Sequence, residues 1–412
     1  MNGRRARIGI LATHPIQYYV PWYRHLAERA EVEVFFAQHQ TREAQGAAGF
    51  GVAFDWDVPL LEGYRHRFLA NRAERPDVDR FLGCDTPEIA DIVRPARFDA
   101  FVVHGWATKS YWQAIWACWR SGTPVLVRGD SQLDTPRHPG WRVAKYPLYR
   151  LLVPRFDGYL VVGARARAYL RHYGADARRM FFAPHAVDND FFGQRADGLR
   201  AERAPLRERW GTPAGATVAL FCGKFIPAKR ACDFARAVGA ASRACPGLWG
   251  LMVGDGSLRP GVEAMARREG WPIRFAGFLN QTEIPAAYAA GDVLVLPSDS
   301  ETWGLVVNEA MASGLPALVS ERVGCAPDLV VEGETGGVFP VGDVAALAGG
   351  LERLARDPDG RAAQGARARR RVACDSIAAA VEGTLAAVES LRRDRRPAPR
   401  LGGLGARLTG TR

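Results

Sequence analysis

Hydrophobic residues along the chain gather in short runs, and most runs are followed by a stretch with the spacing of an amphipathic helix. In the first half, the apolar runs lie at 7–13, 32–37, 99–105, 124–130 and 158–163. A repeated strand–helix–strand order implies right-handed crossovers, because parallel neighbouring strands need a connection that returns over one face of the sheet. The pattern predicts a parallel sheet with helices on both faces.

The same order restarts after 203–216, a polar stretch with Pro and Gly that we interpret as a linker. Further apolar runs lie at 217–223, 248–256, 273–278, 292–298 and 316–320, and residues 343–392 have helical spacing. We therefore predict an α/β protein with two Rossmann-like, doubly wound domains that face each other across a cleft. The expected bounds are 1–205 for the first domain and 206–374 for the second, with a helix at 375–392 after them.

Composition agrees with a globular protein of two domains. The 412 residues are 48% hydrophobic and 24% charged, and no run reaches the roughly 18 to 20 apolar residues of a membrane span. Basic residues precede the short apolar run Ile8–Ala12, which we interpret as a buried strand and not as a signal peptide. The seven cysteines form no Cys-x-x-Cys pair, so neither a zinc site nor a disulfide framework is predicted. We expect a cytoplasmic protein.

The net charge of +11 is concentrated at the end of the chain. Residues 391–412 hold seven Arg and one Asp, a net +6, which leaves +5 for the rest. A basic tail with few apolar residues cannot bury enough surface to fold, so we expect disorder at 393–412. The functional alternative is attraction of this tail to an anionic membrane surface at the inner face of the cell membrane. No nucleic-acid partner is expected, because no recognition module accompanies the charge.

Basic residues follow the first strand of the second half. Gly223 ends that strand, and Lys224, Lys229 and Arg230 cluster after it at the start of the next helix. Cationic side chains beside the free N–H groups of a helix start make an anion site, which is most suited to phosphate. The alternative is a solvated cationic helix start. The spacing does not match a Walker A loop.

Two glutamates, Glu301 and Glu309, flank a helix start in the segment "SDSETWGLVVNEAMASG" at 298–314. Gly304 allows close approach of a ligand to the backbone there. A partly buried carboxylate needs hydrogen-bond donors, and the vicinal hydroxyls of a ribose would supply two to Glu309. Glu301 would accept from the hydroxyls of a neighbouring sugar, while the N–H groups of 304–306 face phosphate. The alternative is two structural glutamates, one at the helix start and one at the surface.

These motifs together resemble the family 4 retaining glycosyltransferases of the GT-B fold. The resemblance rests on Glu-x7-Glu with "GKFIPAKR" at 223–230 and "GFLNQTEIPAAYAAGDVLVLPS" at 277–298, and it covers residues 217–345. It implies that Glu309 binds the nucleotide ribose and Glu301 the transferred sugar. The donor-binding residues that it implies are Glu309, Gly223, Arg230, Phe278, Leu279, Trp303, Gly304 and Leu305.

The resemblance also implies a catalytic set and a crossing helix. Lys224 and Lys229 would hold the diphosphate, and His104, or Trp106 two residues later, would contact the donor sugar. Glu301 completes this catalytic set. The helix at 375–392 would cross back onto the first domain.

The first half departs from the family's usual Gly-Gly loop. Residues 13–27 contain no glycine, as in a subset that begins His-Pro-Ile-Gln-Tyr. His14 and Gln17 are therefore candidates for contact with donor or acceptor through their side chains, and Arg128 and Asp130 for contact with the acceptor. The aromatic residues Tyr18, Tyr19, Trp22 and Tyr23 have helical spacing and are predicted to be core, with stacking on a sugar or contact with lipid as the alternative. Asp188 and Asp190 form an Asp-x-Asp pattern that we interpret as a turn, and no metal or cofactor is expected.

The predicted reaction is transfer of a sugar from a UDP- or GDP-sugar to a hydroxyl of a glycan or lipid-linked acceptor, in cell-surface polysaccharide biosynthesis. Three alternatives stay open on the same architecture. They are a sugar phosphorylase, a nucleotide-sugar epimerase and a non-catalytic protein that binds nucleotide sugars. Lys224, Lys229 and Glu301 argue against the last of these, since their loss would be expected in a silent relative.

Overall fold

Two parallel sheets form the frame of the protein in a computed structural model that describes residues 4–135 and 139–394. The first sheet has the order β3-β2-β1-β4-β5-β6-β7 and the second β10-β9-β8-β11-β12-β13, with parallel pairing throughout both. The strands of the first sheet are β1 (Arg7–Ala12), β2 (Glu31–Phe36), β3 (Arg65–Phe68), β4 (Ala100–Val103), β5 (Val125–Gly129), β6 (Gly158–Val161) and β7 (Met180–Phe182). Those of the second are β8 (Thr217–Cys222), β9 (Leu248–Val253), β10 (Ile273–Gly277), β11 (Val293–Leu296), β12 (Ala317–Ser320) and β13 (Gly336–Phe339). The predicted pair of doubly wound domains is confirmed.

Helices connect these strands. In the first half they are α1 (Val20–Arg29), α2 (Arg42–Gln45), α3 (Ile89–Ile92), α4 (Lys109–Ser121), α5 (Pro139–Leu152) and α6 (Ala164–His172). They continue as α7 (Asn189–Gly198), α8 (Arg203–Arg209), α9 (Ala231–Ala244), α10 (Arg259–Arg268), α11 (Ile284–Ala290) and α12 (Leu305–Ala312). The last four are α13 (Ala326–Leu329), α14 (Val344–Arg356), α15 (Pro358–Val372) and α16 (Ile377–Arg393).

Two helices that precede the second sheet already contact the second half, near the expected domain bound at residue 205. That bound lies inside α8, which forms where a linker was expected. Both α7 and α8 already pack against α11 of the second half, and α7 also packs against α12. Arg207 attaches this segment to the second half. Its buried guanidinium donates hydrogen bonds to the Ala290 carbonyl (3.0 Å) and to Asp292 Oδ2 (2.6 Å).

The last helix, α16, packs on the first sheet. It contacts α1, β6 and β7, and its buried Val381 and Val388 belong to the same apolar core as Ile10 of β1. The expected tail at 393–412 lies almost wholly outside the described residues. Within the parts of the chain that are described, no helix is both long and apolar enough to cross a membrane.

Each sheet reverses its winding direction once. The reversal lies between β1 and β4 in the first sheet and between β8 and β11 in the second. Helices leave such a point on opposite faces, so the loops after these strands diverge and open a crevice at the carboxyl ends of the strands. The short strands β3, β7 and β13 were not predicted, and β3 ("RHRF") carries too few apolar residues to mark a strand.

Candidate functional site

A cavity of about 610 Å³ lies between the two sheets, within the size range of sites for small molecules. The loops after β1, β8 and β11 contribute to its walls. The sequence-predicted residues that line it are His14, Gln17, Asp130, Gly223, Lys224, Lys229, Phe278, Leu279, Glu301, Trp303, Gly304, Leu305 and Glu309. Both halves of the chain therefore meet in one site.

An ion pair joins the two loops of the second sheet that carry predicted site residues. Lys229 ends a 3₁₀ turn at Pro227–Lys229, and its Nζ donates to Glu301 Oε2. The side chains of Lys229 and Glu301 are 19% and 15% exposed, so the pair is only partly hydrated. The Asp299 N–H donates to the Ala228 carbonyl (3.0 Å) and holds the two loops together. A cation and a carboxylate thus stand side by side at the cavity wall.

Glu309 lies one turn into α12, where its carboxylate is removed from bulk water. Burial raises its pKa from 4.5 to about 7, because a low-dielectric environment disfavours the charged form. The hydroxyl of Tyr288 donates a hydrogen bond of 2.5 Å to Oε2 of Glu309 and offsets part of that shift. Glu309 also lines the cavity. Its carboxyl group can therefore exchange hydrogen bonds with hydroxyls of a ligand.

The start of α12 faces the same space. Gly304 precedes the helix with φ of 98°, and no side chain caps the first N–H groups. A Cβ at Gly304 would lie 3.0 Å from Leu296 Cδ2 and 3.1 Å from Val323 Cγ1, so glycine serves both the left-handed backbone and the tight packing. Gly304 and Leu305 line the cavity. Free N–H groups and the positive end of the helix dipole suit an anion such as phosphate.

Lys224 contacts the first half of the chain. Its Nζ donates 2.6 Å to the Ala48 carbonyl and lies 4.4 Å from the centre of the Phe50 ring. Its pKa is lowered by burial and by the nearby charge of Lys229. Two lysines that repel each other across the cavity wall are stabilised by any anion bound between them.

Residues 46–57 of the first half, which we name the strap, close one end of the cavity. Phe50 and Trp56 of the strap line it together with Phe278 of the second half. The Phe54 and Phe278 rings are 4.4 Å apart, and Asn280 Nδ2 donates to the Asp55 carbonyl at 2.7 Å. The sequence analysis missed the strap. Its only signal was a cluster of aromatic residues among glycines, in "GFGVAFDWD" at 49–57.

The first half supplies the opposite wall. His14, Gln17, Tyr18, Asp130 and His185 line it. His185 Nε2 lies 3.9 Å from Asp130 Oδ2, and burial together with the charge of Arg128 holds the pKa of His185 well below 6.5. Burial likewise lowers the pKa of His14 to about 4. Both imidazoles are thus neutral at neutral pH. His185 was not predicted as a site residue.

His104 does not line the cavity, contrary to its assignment as a donor contact. The ring of Tyr19 stacks between His104 and His185, at centroid distances of 4.4 and 5.7 Å. His104 Nε2 lies 3.4 Å from the Tyr23 hydroxyl, and burial holds its pKa well below 6.5. Trp106, the alternative, stacks on Phe156 at 5.6 Å, also away from the cavity.

Arg128 and Arg230 also lie outside the lining. Arg128 is buried, its NH2 donates 2.8 Å to the Pro184 carbonyl, and its guanidinium lies 5.0 Å from the Trp22 ring. Arg230 turns to Asp233 Oδ2, at 2.5 Å. Arg128 was predicted from its strand-end position and Arg230 from its position at a helix start, but each side chain is paired outside the cavity lining. The predicted core position is confirmed for Trp22 and Tyr23.

Asp188 has a structural role in the segment that carries the Asp-x-Asp pattern. Its carboxylate accepts a hydrogen bond of 2.9 Å from the Phe191 N–H and caps α7. Among residues 4–135 and 139–394, no group of three or more His, Cys, Asp or Glu side chains is placed to hold a metal ion.

Comparison with known proteins identifies part of the chain. Residues 202–371 match the family model "Glycosyl transferases group 1", and this segment is a domain of that group. The chain is 33% identical over 287 residues to the D-inositol 3-phosphate glycosyltransferase of Thermomonospora curvata. The aligned region covers 64% of this chain and 65% of that enzyme. It is 44% identical over 120 residues to the sulfoquinovosyl transferase SQD2 of Arabidopsis thaliana, covering 28% of this chain and 23% of the relative. The matches thus span less than two thirds of either relative.

Solved structures share the whole fold. HepE of Anabaena, crystallised with UDP and glucose, superposes with a TM-score of 0.70 at 17% identity, over 93% of this chain and 100% of that chain. A glycosyltransferase of Rickettsia africae gives a TM-score of 0.73 at 14% identity, over 95% and 100%. The fold is therefore the GT-B fold of glycosyltransferases, as the resemblance implied.

Proposed function

We propose that the protein is a metal-independent, retaining glycosyltransferase of family 4, in the subset with the His-Pro-Ile-Gln-Tyr loop. It transfers a sugar from a UDP- or GDP-sugar to a hydroxyl of a glycan or lipid-linked acceptor, in cell-surface polysaccharide biosynthesis at the cytoplasmic face of the membrane. The observation that carries the proposal is the convergence of two lysines, an open helix start and two glutamates on one cavity wall. The glycosyltransferase names of the relatives support it.

In the proposed donor complex, the diphosphate lies between Lys224, Lys229 and the start of α12. These groups stabilise the negative charge that grows on the leaving diphosphate, and they do so without reorganisation because the fold already orients them. Lys224 would exchange the Ala48 carbonyl for a phosphate oxygen. Such fixed cationic groups stabilise negative charge as a divalent metal ion does in metal-dependent enzymes.

The two glutamates are assigned to hydroxyl groups. Glu309 takes the ribose and Glu301 takes the transferred sugar, where Lys229 keeps the Glu301 carboxylate oriented. A carboxylate that is already paired with lysine is a poor nucleophile, so we propose attack of the acceptor on the same face from which the diphosphate leaves. A phosphate oxygen of the leaving group then accepts the acceptor's proton. The acceptor lies against the wall that carries His14, Asp130 and His185.

The strap supports a closed donor site. It places Phe50 and Trp56 over the end of the cavity that holds Phe278, where the nucleobase would stack. Exclusion of water at this end would protect the donor from hydrolysis.

The test is a transfer assay in EDTA with a panel of UDP- and GDP-sugars and hydroxyl acceptors, with proton NMR of the product. The proposal predicts release of one nucleoside diphosphate and an anomeric configuration equal to that of the donor. An obligatory divalent metal, or an inverted product, would contradict it. Phosphate-dependent cleavage of a glycoside would identify a phosphorylase instead, and interconversion of the donor sugar without acceptor an epimerase.

A further inference from the structure

One face of α5 exposes apolar side chains to solvent. Val143, Leu148 and Leu151 are 75%, 58% and 62% exposed, and Pro147 between them is exposed as well. Their spacing (i, i+4, i+5, i+8) places all four on one side of the helix. Single exposed apolar residues are ordinary, whereas an apolar stripe along two turns of a helix indicates a surface that is covered by a membrane or by another molecule.

The opposite face of α5 is fixed to the protein. Lys145 Nζ lies 2.9 Å from the Tyr169 hydroxyl and 4.3 Å from the centre of the Tyr149 ring. The Tyr149 ring in turn lies 5.2 Å from that of Tyr173, which directly follows α6. These contacts orient α5, so the apolar stripe cannot turn inward without breaking them.

The charged residues of α5 itself all have one sign. Residues 139–156 contain Arg142, Lys145, Arg150 and Arg155 and no Asp or Glu. Arg150 and Arg155 are exposed at the end of the helix that carries Leu148 and Leu151. A basic helix with an apolar face is the pattern of segments that lie in the plane of a membrane, because the apolar side enters the acyl boundary while the cations meet anionic headgroups.

An exposed tryptophan is linked to the end of α5 through ring contacts. Trp116 of α4 is 57% exposed, and its ring contacts that of Trp119 at 5.6 Å. Trp119 contacts Phe156, just beyond α5, at 6.3 Å. Tryptophan is enriched at the headgroup level of a bilayer, because its ring is amphipathic.

Residues 130–135, which precede α5 in the chain, contact the cavity and the second half. The loop that leads into α5 carries Asp130, which lines the cavity, and Gln132, whose Nε2 donates 3.0 Å to the Glu301 carbonyl. Arg322 donates 3.0 Å to the Asp134 carbonyl in the same loop. The surface is thus attached to the acceptor side of the cleft.

We propose that this surface, formed by Val143, Leu148, Leu151, Trp116 and the basic residues Arg150 and Arg155, docks on an anionic phospholipid bilayer. The docking is separate from any attraction of the basic tail, and it does not depend on which sugar the site transfers. Docking there brings the acceptor side of the cleft to the lipid surface. An acceptor anchored in the bilayer would then reach the cavity without leaving it.

The experiment is co-sedimentation of the full-length protein with vesicles of phosphatidylcholine alone or mixed with phosphatidylglycerol. We expect binding to the mixed vesicles that weakens with salt. The variant Leu148→Ser/Leu151→Ser should lower the partition coefficient about tenfold or more, since two leucines no longer enter the acyl boundary. The matched control is Val331→Ser/Val338→Ser, which removes two exposed valines of the second half, one after α13 and one in β13, and should bind like wild type.

Two further arms separate the surface from the tail. Arg395→Ser/Arg396→Ser/Arg400→Ser removes charge from the tail and should retain most of the binding. Vesicle lipids with brominated acyl chains should quench the tryptophan fluorescence of wild type more than that of Trp116→Phe, because Trp116 enters the bilayer surface. Wild-type binding by the leucine variant, loss of binding by the tail variant alone, or no wild-type binding to anionic vesicles would each overturn the proposal, whether or not the chain binds nucleotide.

Discussion

The Tyr288 hydroxyl donates a hydrogen bond of 2.5 Å to Oε2 of Glu309 and joins α11 to α12 behind the cavity. The bond spans 21 residues of sequence. Glu309 keeps a raised pKa of about 7 in spite of this donor, because its desolvation outweighs one hydrogen bond. A carboxyl group that titrates near neutrality stands where we assign contact with the ribose, so both stability and binding should respond to pH.

Glu309→Gln should change the pH dependence of stability. The pKa of Glu309 is about 7 in the folded protein against 4.5 in an unfolded chain, so the folded state holds the proton more tightly. The contribution of the bound proton on Glu309 to the free energy of unfolding is complete below pH 4.5. This contribution, up to about 3 kcal/mol, is lost as pH rises through 7. Urea unfolding at pH 5 and pH 8 should show that wild type loses more stability than the variant over this interval. Equal losses would mean that Glu309 is ionised well below pH 7.

Lys229→Met should lower turnover much more than donor affinity. The variant removes a cation assigned to the leaving diphosphate and leaves the partly buried Glu301 without its partner, so we expect a fall of about 10²- to 10³-fold in kcat. Arg236→Met on α9 is the control, since it removes an exposed cation that also pairs with a carboxylate. Steady-state kinetics of both variants checks this. If Lys229→Met kept wild-type kcat, the ion pair would be structural only.

The pairing of Lys229 with Glu301 also predicts non-additivity. Residues in direct contact share their energetic effects, so Lys229→Met combined with Glu301→Gln should cost less activity than the product of the single losses. A double-mutant cycle on kcat/KM measures the coupling. Strict multiplication of the two losses would show that the two side chains act independently in the transition state.

Trp56→Ala should open the end of the cavity that the strap closes. We expect nucleotide affinity to fall at least fivefold, as loss of a base-stacking ring costs about 1–3 kcal/mol, and donor hydrolysis without acceptor to rise because water enters. Trp56→Phe should retain most of the affinity, and Phe182→Ala, which removes an exposed ring of β7 outside the cavity lining, should have no effect. Unchanged affinity and hydrolysis in Trp56→Ala would exclude the strap from the donor site.

Strand-end residues of the second half were predictable because local pattern determines their place. Glu301, Gly304 and Glu309 follow a short apolar run, and the loops after parallel strands gather at the crevice of the sheet. The number of residues between each of them and that strand was enough to place them at the crevice. Lys224 and Lys229 were predictable for the same reason.

His104, Arg128 and the strap were not predictable, and the reasons are physical. His104 and Arg128 also end strands, but Tyr19, just before α1, and Trp22 in α1 pack against them, and only tertiary packing decides which strand-end side chain reaches the cavity. The strap belongs to an irregular segment without hydrophobic periodicity. Its position depends on contacts such as Phe54 with Phe278, 224 residues away, which no local pattern records.

The most direct test of the donor site is calorimetric titration of the full-length protein with UDP, GDP and ADP in EDTA, with Glu309→Gln alongside. The account predicts saturable binding of one nucleotide without metal, at least tenfold weaker in the variant, because a glutamine loses the carboxylate that accepts both ribose hydroxyls. Absence of binding by all three nucleotides, or equal affinity of wild type and Glu309→Gln, would contradict it.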